Sequence, residues 1–264
     1  MSRQLLRLLN GLVSTVIVLA LIVSGVYAGY ALWDNEQIYA SAENVQADMI
    51  QLKPKVVETA DAEEEAGPSF AELLAINPDV CGWVTMDNTR IDHPVLQGES
   101  NFSYINTDVY GDFALAGSIF LDYRCNKAFT DYYSLTYGHH MVNGGMYGDL
   151  ELYKDKTFFE ENRTGTLITP DRVYLLETFA CLVVISSEDN IFYPQKWQDE
   201  IDGLIDFAKL NAMHLHNDTI DAMLEEELET GVIPQVLALT TCSSEFTDAR
   251  TIILAVMKEY TPAK

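Results

Sequence analysis

Cys242 ends a short β-branched and aliphatic stretch, 236–241, and Arg250 opens a second stretch of the same character, 251–256. Runs this short and this rich in Val, Ile, Leu and Thr read as buried strands. The polar segment Ser243 to Asp248 reads as the connection that returns the chain beside the first strand. A thiol at a strand end with a guanidinium one loop away has a definite chemical use. The guanidinium is permanently cationic and carries its donors in a rigid fork, so it favours a thiolate or holds a developing oxyanion. Proton transfer needs a third group. About a hundred residues earlier the apolar run Leu135-Thr136-Tyr137-Gly138 leads into His139-His140 and an Asn143-Gly144-Gly145 loop. That places an imidazole at a loop mouth, and residue types alone do not choose between His139 and His140. Taken singly, Cys242 has the plainer reading of a buried structural cysteine, and Arg250 that of a surface or salt-bridged arginine. Taken together, thiol, imidazole and guanidinium are the parts of an acyl transfer.

Positioning these groups falls to a mainly β domain. Strand character recurs at 82–86, 91–97, 117–123 and 173–185, with turn residues at Asp87-Asn88 and Gly98-Glu99. With the strands flanking Cys242 these make most of a closed or nearly closed β-barrel. Two helical insertions are expected. Met146, Leu150 and Tyr153 fall at i, i+4, i+7 after the His139 loop. Trp197, Ile201, Leu204, Ile205 and Ala208 form an apolar stripe, and a further helix with Ile220, Met223 and Leu224 runs from Asp218 to Gly231. This long helical insertion precedes the Cys242 strand and would wall one side of a groove leading to it. The domain is expected to begin near Ser69, where Ser69-Phe70-Ala71-Glu72 has a capping-box pattern and Leu73, Leu74 and Ile76 make a short helix closed by Pro78.

Ahead of that domain, residues 12–33 form an uncharged apolar run, long enough at ~1.5 Å per residue to cross a ~30 Å hydrocarbon layer. Arg3 and Arg7 precede it in a short tail, 1–11, and Asp34 and Glu36 follow, so the positive-inside rule leaves the N-terminus in the cytoplasm and exports the rest. The run exceeds a signal-peptide core of ~7–15 residues, which favours an uncleaved single-pass anchor over a cleaved leader, although Ala28 and Ala31 are small enough for a cleavage point. Residues 34–68 are acidic and end in Asp61-Ala62-Glu63-Glu64-Glu65-Ala66-Gly67-Pro68, the composition of a solvated stalk. The net charge of −24 argues against a nucleic-acid partner, which needs a basic footprint. Four cysteines, Cys81, Cys125, Cys181 and Cys242, make no disulfide framework. His214 and His216 lack further ligands at metal-site spacing, and His93 reads as packing.

Tyr137-Gly138-His139, Leu239-Thr240-Thr241-Cys242 and Arg250, in that order, resemble the His, Thr-Leu-x-Thr-Cys and Arg signatures of sortases, the cell-wall transpeptidases of Gram-positive bacteria. The likeness is to class B, with Gly82-Trp83, Pro94-Val95-Leu96-Gln97 and Gly117-Ser118-Ile119-Phe120-Leu121-Asp122 blocks similar to that class, and it runs from about Phe70 to Met257. His140, where Asn is usual, and Ser243 depart from the commonest pattern. The resemblance implies a closed eight-stranded barrel with peripheral helices. It also implies Cys242 as nucleophile, His139 as acid/base and Arg250 at the oxyanion. Asn101 and Ile105 would line the substrate groove by the Asn-x-x-Tyr-Leu pattern; Ser187, Ile191 and Phe192, at the mouth of the insertion, and Thr240, two before the nucleophile, would join them. The implied reaction cleaves a sorting signal of Asn-Pro-x-Thr-x type after Thr. The acyl group passes through a thioester to an amine of a peptidoglycan precursor or to a pilin lysine. No cofactor is expected, because a thioester conserves the peptide-bond energy. A cysteine endopeptidase would use the same Cys/His pair and release product to water, and a non-catalytic wall-anchored module would have no use for three matching contexts.

Overall fold

The computed structural model describes residues 3–55, 70–242 and 248–260, with Cys242 described by its backbone. The acidic run 61–68, Ser69 and the connection 243–247 lie outside the described residues. The chain divides into two units, residues 1–41 and 42–264. The described residues of the first belong to α1 (Arg3–Ile50), which carries an 18-residue window of mean hydropathy 2.3, none of it buried. By length and composition this helix can cross a membrane.

The second unit is built on β1 (Val80–Met86), β2 (Asp92–Leu96), β3 (Ile119–Leu121), β4 (Tyr133–Gly138), β5 (Thr164–Ile168), β6 (Val173–Ile185), β7 (His214–Leu215), β8 (Gln235–Cys242) and β9 (Ala249–Glu259). The pairing order β5-β1-β2-β3-β4-β8-β9-β6 is closed by β5 against β6, which gives the expected eight-stranded barrel. The two-residue β7 is an addition on β6 at Ala180 and Cys181, beyond the stretch that pairs with β5. Around the barrel lie α2 (Phe70–Ile76), α3 (Lys156–Glu161), α4 (Asp189–Phe192), α5 (Asp202–Asn211) and α6 (Asn217–Thr230). In β8 the residues from Val236 to Thr241 are all buried, as suits a strand with neighbours on both edges and cover on both faces.

Several expectations are redrawn by packing. The stripe from Trp197 to Ala208 is buried throughout, but Trp197 closes a separate 3-10 turn, Pro194–Trp197, and α5 starts only after Ile201. The segment after the His139 loop is a 3-10 helix, Gly148–Lys154, and not an α-helix; its buried Leu150 and Tyr153 are three apart, the period of that tighter turn. Met146 lies outside it with φ of 53°. α6 ends at Gly231, whose φ of 71° and N–H donated to the Glu227 carbonyl make a left-handed cap.

The folded unit begins well before Ser69. α1 continues to Ile50, and Val45, Met49 and Leu52 fall at i, i+4, i+7 and pack on a core cluster containing Leu73, Trp83 and Leu96. Lys53 Nζ lies 2.8 Å from Asp92 Oδ1, and Gln46 Nε2 donates to the Arg90 carbonyl at 3.0 Å. Acidic composition masked this helical period within the segment read as a stalk.

His93 lies inside β2 opposite Val84, 5% exposed, with Nε2 unpartnered among the described residues. Burial pushes its pKa down to about 4 against the opposing pull of Asp92. Because the folded value lies below the ordinary one, the unfolded chain takes up a proton that the folded chain excludes once the pH drops below ~6.5. Stability is therefore full above that pH, is lost progressively down to about pH 4, and the loss amounts to roughly 3 kcal/mol. Urea unfolding from pH 7.5 to 4.5 is expected to show this acid limb in the natural chain and to show it flattened in His93→Leu; parallel limbs would refute the assignment.

Candidate active site

The site follows from strand register. β4 and β8 run parallel, with Tyr133 opposite Val236 and so on to Gly138 opposite Thr241. One step further are His139 and Cys242, on neighbouring strands about 4.8 Å apart. β8 and β9 are antiparallel, and Cys242 is directly opposite Arg250. Three residues distant in sequence thus meet at one end of the barrel.

Two glycines hold His139 in place. A Cβ on Gly138 would lie 2.4 Å from Ile119 Cδ1 and 2.7 Å from Tyr147 Cγ, so only glycine lets the end of β4 seat against them. The His139 ring places Nε2 2.6 Å from the Ile105 carbonyl oxygen. Facing an acceptor, Nε2 carries the proton, and Nδ1 is the basic nitrogen of the neutral ring. A carbonyl accepts equally from imidazole and imidazolium, so the ring can give and take a proton at Nδ1 without losing this hydrogen bond. The carbonyl is itself placed by Gly117, whose φ is 58° and whose absent Cβ would lie 2.4 Å from the Ile105 oxygen.

Arg250 is half-buried, donates from Nη1 to the Ala249 carbonyl at 2.9 Å, and among the described residues has no carboxylate partner. Among the described residues no side chain neutralises it, and a guanidinium so placed is able to hold an anion. By contrast, burial pushes the thiols of Cys81, Cys125 and Cys181 up to about 12, which removes them as nucleophiles at neutral pH.

His139 and Arg250 both line a cavity of about 270 Å³, together with Asn101, Phe102, Ile105, Phe120, Tyr137, Gly138, Ser186, Phe192, Thr240 and Thr241. One wall is aromatic: Phe120 stacks on Tyr137 at 5.2 Å, and Tyr137 on Phe192 at 6.4 Å. Of the residues expected to contact substrate, Asn101, Ile105, Phe192 and Thr240 line this cavity. Ser187 and Ile191 do not. Ser187 is exposed, and the single turn of α4 sends Ile191 into the core, its carbonyl accepting from Tyr133 Oη at 2.9 Å. The neighbouring Ser186 lines the cavity instead, beside the expected Phe192. His140 pairs with Met146 and is not a lining residue. Sequence reasoning missed Phe120 and Tyr137 as cavity walls, although both stand in the blocks that carry the family likeness.

His214 and His216 are structural: their Nε2 atoms face the carbonyls of Lys154 and Phe159 at 2.7 and 3.1 Å, and His216 stacks on Phe159 at 4.0 Å. Among the described residues no group of His, Cys, Asp and Glu could hold a metal ion.

No protein-family model matches the chain. Among solved structures, a class B sortase of Streptococcus pyogenes involved in pilus biogenesis is similar with a TM-score of 0.62 and 31% sequence identity, over 72% of this chain and 97% of that one. The chain belongs to the class B sortases. Sortase B of Listeria monocytogenes is 27% identical over 86% of this chain and 89% of its own, and Sortase B of Staphylococcus aureus 24% identical over 92% and 95%. As a sortase the chain is a cysteine transpeptidase, an enzyme of acyl transfer.

The glycine support of His139 is testable in this sortase. Gly117→Ala is expected to displace the Ile105 carbonyl and lower turnover by roughly 10²-fold. Gly111→Ala is the control: its φ is 87°, but nothing lies within 4 Å of the added Cβ. It should cost about 1–2 kcal/mol of stability and leave turnover intact. Equal turnover in the two variants would show that the carbonyl does not govern His139.

Proposed function

We propose that Cys242 is the nucleophile, His139 the general acid and base, and Arg250 the oxyanion partner of a transpeptidase acting on a sorting signal of Asn-Pro-x-Thr-x type. The observation that carries this reading is the register that sets position 242 beside His139 and opposite Arg250, with His139 and Arg250 both on the cavity. The Cys242 thiolate adds to the threonyl carbonyl, and the resulting oxyanion is held by the Arg250 guanidinium. Imidazolium Nδ1 of His139 protonates the leaving amine as the C–N bond breaks, which leaves a thioester on Cys242 and a neutral imidazole. An incoming amine then loses its proton to that nitrogen and displaces the thiolate, forming a new amide and regenerating the enzyme. The aromatic wall of Phe120, Tyr137 and Phe192 suits the apolar ring of the signal's proline.

The amine we favour belongs to a peptidoglycan precursor, which would anchor a surface protein to the wall. A pilin lysine is the second reading, supported by the 31% identical relative involved in pilus biogenesis. The apolar stretch 12–33 would anchor the enzyme in the membrane with residues 1–11 in the cytoplasm, and the catalytic unit would work outside the cell. Such an arrangement would bring the cavity to substrates displayed at the membrane surface.

The full chain in detergent, incubated with Asn-Pro-x-Thr-type peptides with and without an oligoglycine or lysine amine, tests the proposal by mass spectrometry. A thioester adduct on Cys242 that passes to the amine is expected, with none in Cys242→Ala. His139→Ala and Arg250→Ala should each lower kcat/KM by roughly 10²-fold or more. Cleavage indifferent to the amine would make the enzyme an endopeptidase, and preference for the lysine amine would favour pilin joining.

A further inference from the structure

One buried carboxylate beyond the reacting groups ties the cavity walls together. Asp122, directly after β3, is 0% exposed. Its Oδ1 accepts the Arg124 backbone N–H at 3.0 Å and Nε at 2.8 Å. Its Oδ2 accepts Arg124 Nη2 at 2.7 Å, Asn101 Nδ2 at 2.8 Å and the Tyr137 hydroxyl at 2.9 Å. These donors fill the acceptor capacity of a carboxylate. Each leads to a wall. Asn101 and Tyr137 line the cavity, and the same Arg124 Nη2 also donates to the carbonyl of a third lining residue, Phe192, at 2.8 Å. Asn101 is fixed at both ends of its amide, because its Oδ1 accepts the Tyr123 N–H at 3.0 Å.

Replacing a buried ion pair by apolar packing is often neutral for stability, and here Asp122 is buried while Arg124 keeps 20% of its side chain exposed. Burial pushes Asp122 up, yet the Arg124 guanidinium and the other donors together hold it below the ordinary carboxylate value, so it is charged at neutral pH. The pair neutralises Arg124 and leaves Arg250 as the unpaired cation on the cavity among the described residues.

We propose that Asp122 is a positioning residue of the donor-peptide cavity: through Arg124, Asn101 and Tyr137 it sets three walls in the arrangement that accepts the peptide strand. This rests on the transpeptidase reading and adds a residue that touches neither the peptide nor the reacting atoms. The role predicts a loss in peptide binding, with the intrinsic reactivity of the Cys242 thiol untouched.

The test uses the full chain in detergent and compares Asp122→Asn, Asn101→Ala and their double variant, with Tyr137→Phe as a milder probe that removes one donor. The readouts are kcat and KM for peptide-to-amine transfer, the rate of Cys242 alkylation by iodoacetamide, which needs no peptide cavity, and thermal unfolding. In Asp122→Asn we expect KM to rise by about tenfold or more, with kcat changed far less and alkylation unchanged. The double variant should lose much less than the product of the two single losses, since Asp122 acts partly through Asn101. Tyr137→Phe should raise KM in the same direction while unfolding as the natural chain does. An unchanged KM, alkylation that slows in step with transfer, or strictly multiplicative losses would each overturn the proposal. Natural chain that fails to transfer at all would reject the transpeptidase reading itself, a result visible before any variant is compared.

Discussion

The parallel pairing of β4 with β8 is the constraint on which the rest of the molecule depends. Two parallel strands cannot be joined by a tight turn, so the chain between them must cross over. Here that crossover is the whole segment 139–234, which contains β5, β6, the 3-10 helices and four α-helices. His139 stands where the crossover leaves β4, and Cys242 where β8 ends. A slip of one residue would turn every side chain to the other face, and two things oppose it. β8 is buried from Val236 to Thr241, and one threonine from each strand locks it to β4: Thr136 Oγ1 of β4 donates to the Ala238 carbonyl and Thr240 Oγ1 of β8 to the Thr136 carbonyl, each at 2.9 Å.

Around this register the supporting contacts are indirect and polar. His139 is oriented by a backbone carbonyl in place of a carboxylate, and that carbonyl is placed by a glycine in the left-handed region. Three cavity walls are tied to one buried aspartate whose charge is cancelled by Arg124. Arg250, with no carboxylate partner among the described residues, gives the cavity a positive end. Fixed charge set where an anion would develop is the largest contribution in many acyl transfers.

The groups at the strand ends were legible in the sequence because short β-branched runs flanked by polar loops have few other readings. β6 was legible at its observed bounds for the same reason. β5 was not, because Thr164-Gly165-Thr166-Leu167-Ile168 has two strongly apolar residues and a glycine, and its strand state comes from pairing with β1 and β6. The apolar period at Val45, Met49 and Leu52 was present but submerged in acidic composition. The cavity walls were the least legible part. Whether Ser186 or Ser187 faces the cavity is a matter of one residue, and Asp122 beside Arg124 looks like ordinary surface charge until the fold buries it.

Residues 139, 242 and 250 meet through backbone register, and cysteines introduced at 139 and 250 would trap that register. With the three buried cysteines left in place, His139→Cys and Arg250→Cys are each oxidised and the Cys242 peptide is followed by mass spectrometry. Adjacent paired positions fall within the roughly 4.4–6.8 Å Cα separation that a disulfide spans, so both variants should bridge to Cys242, and Tyr137→Cys, two positions back along β4, should not. Failure of both bridges, or a bridge from position 137 as fast as from 139, would contradict the register and with it the assembled site.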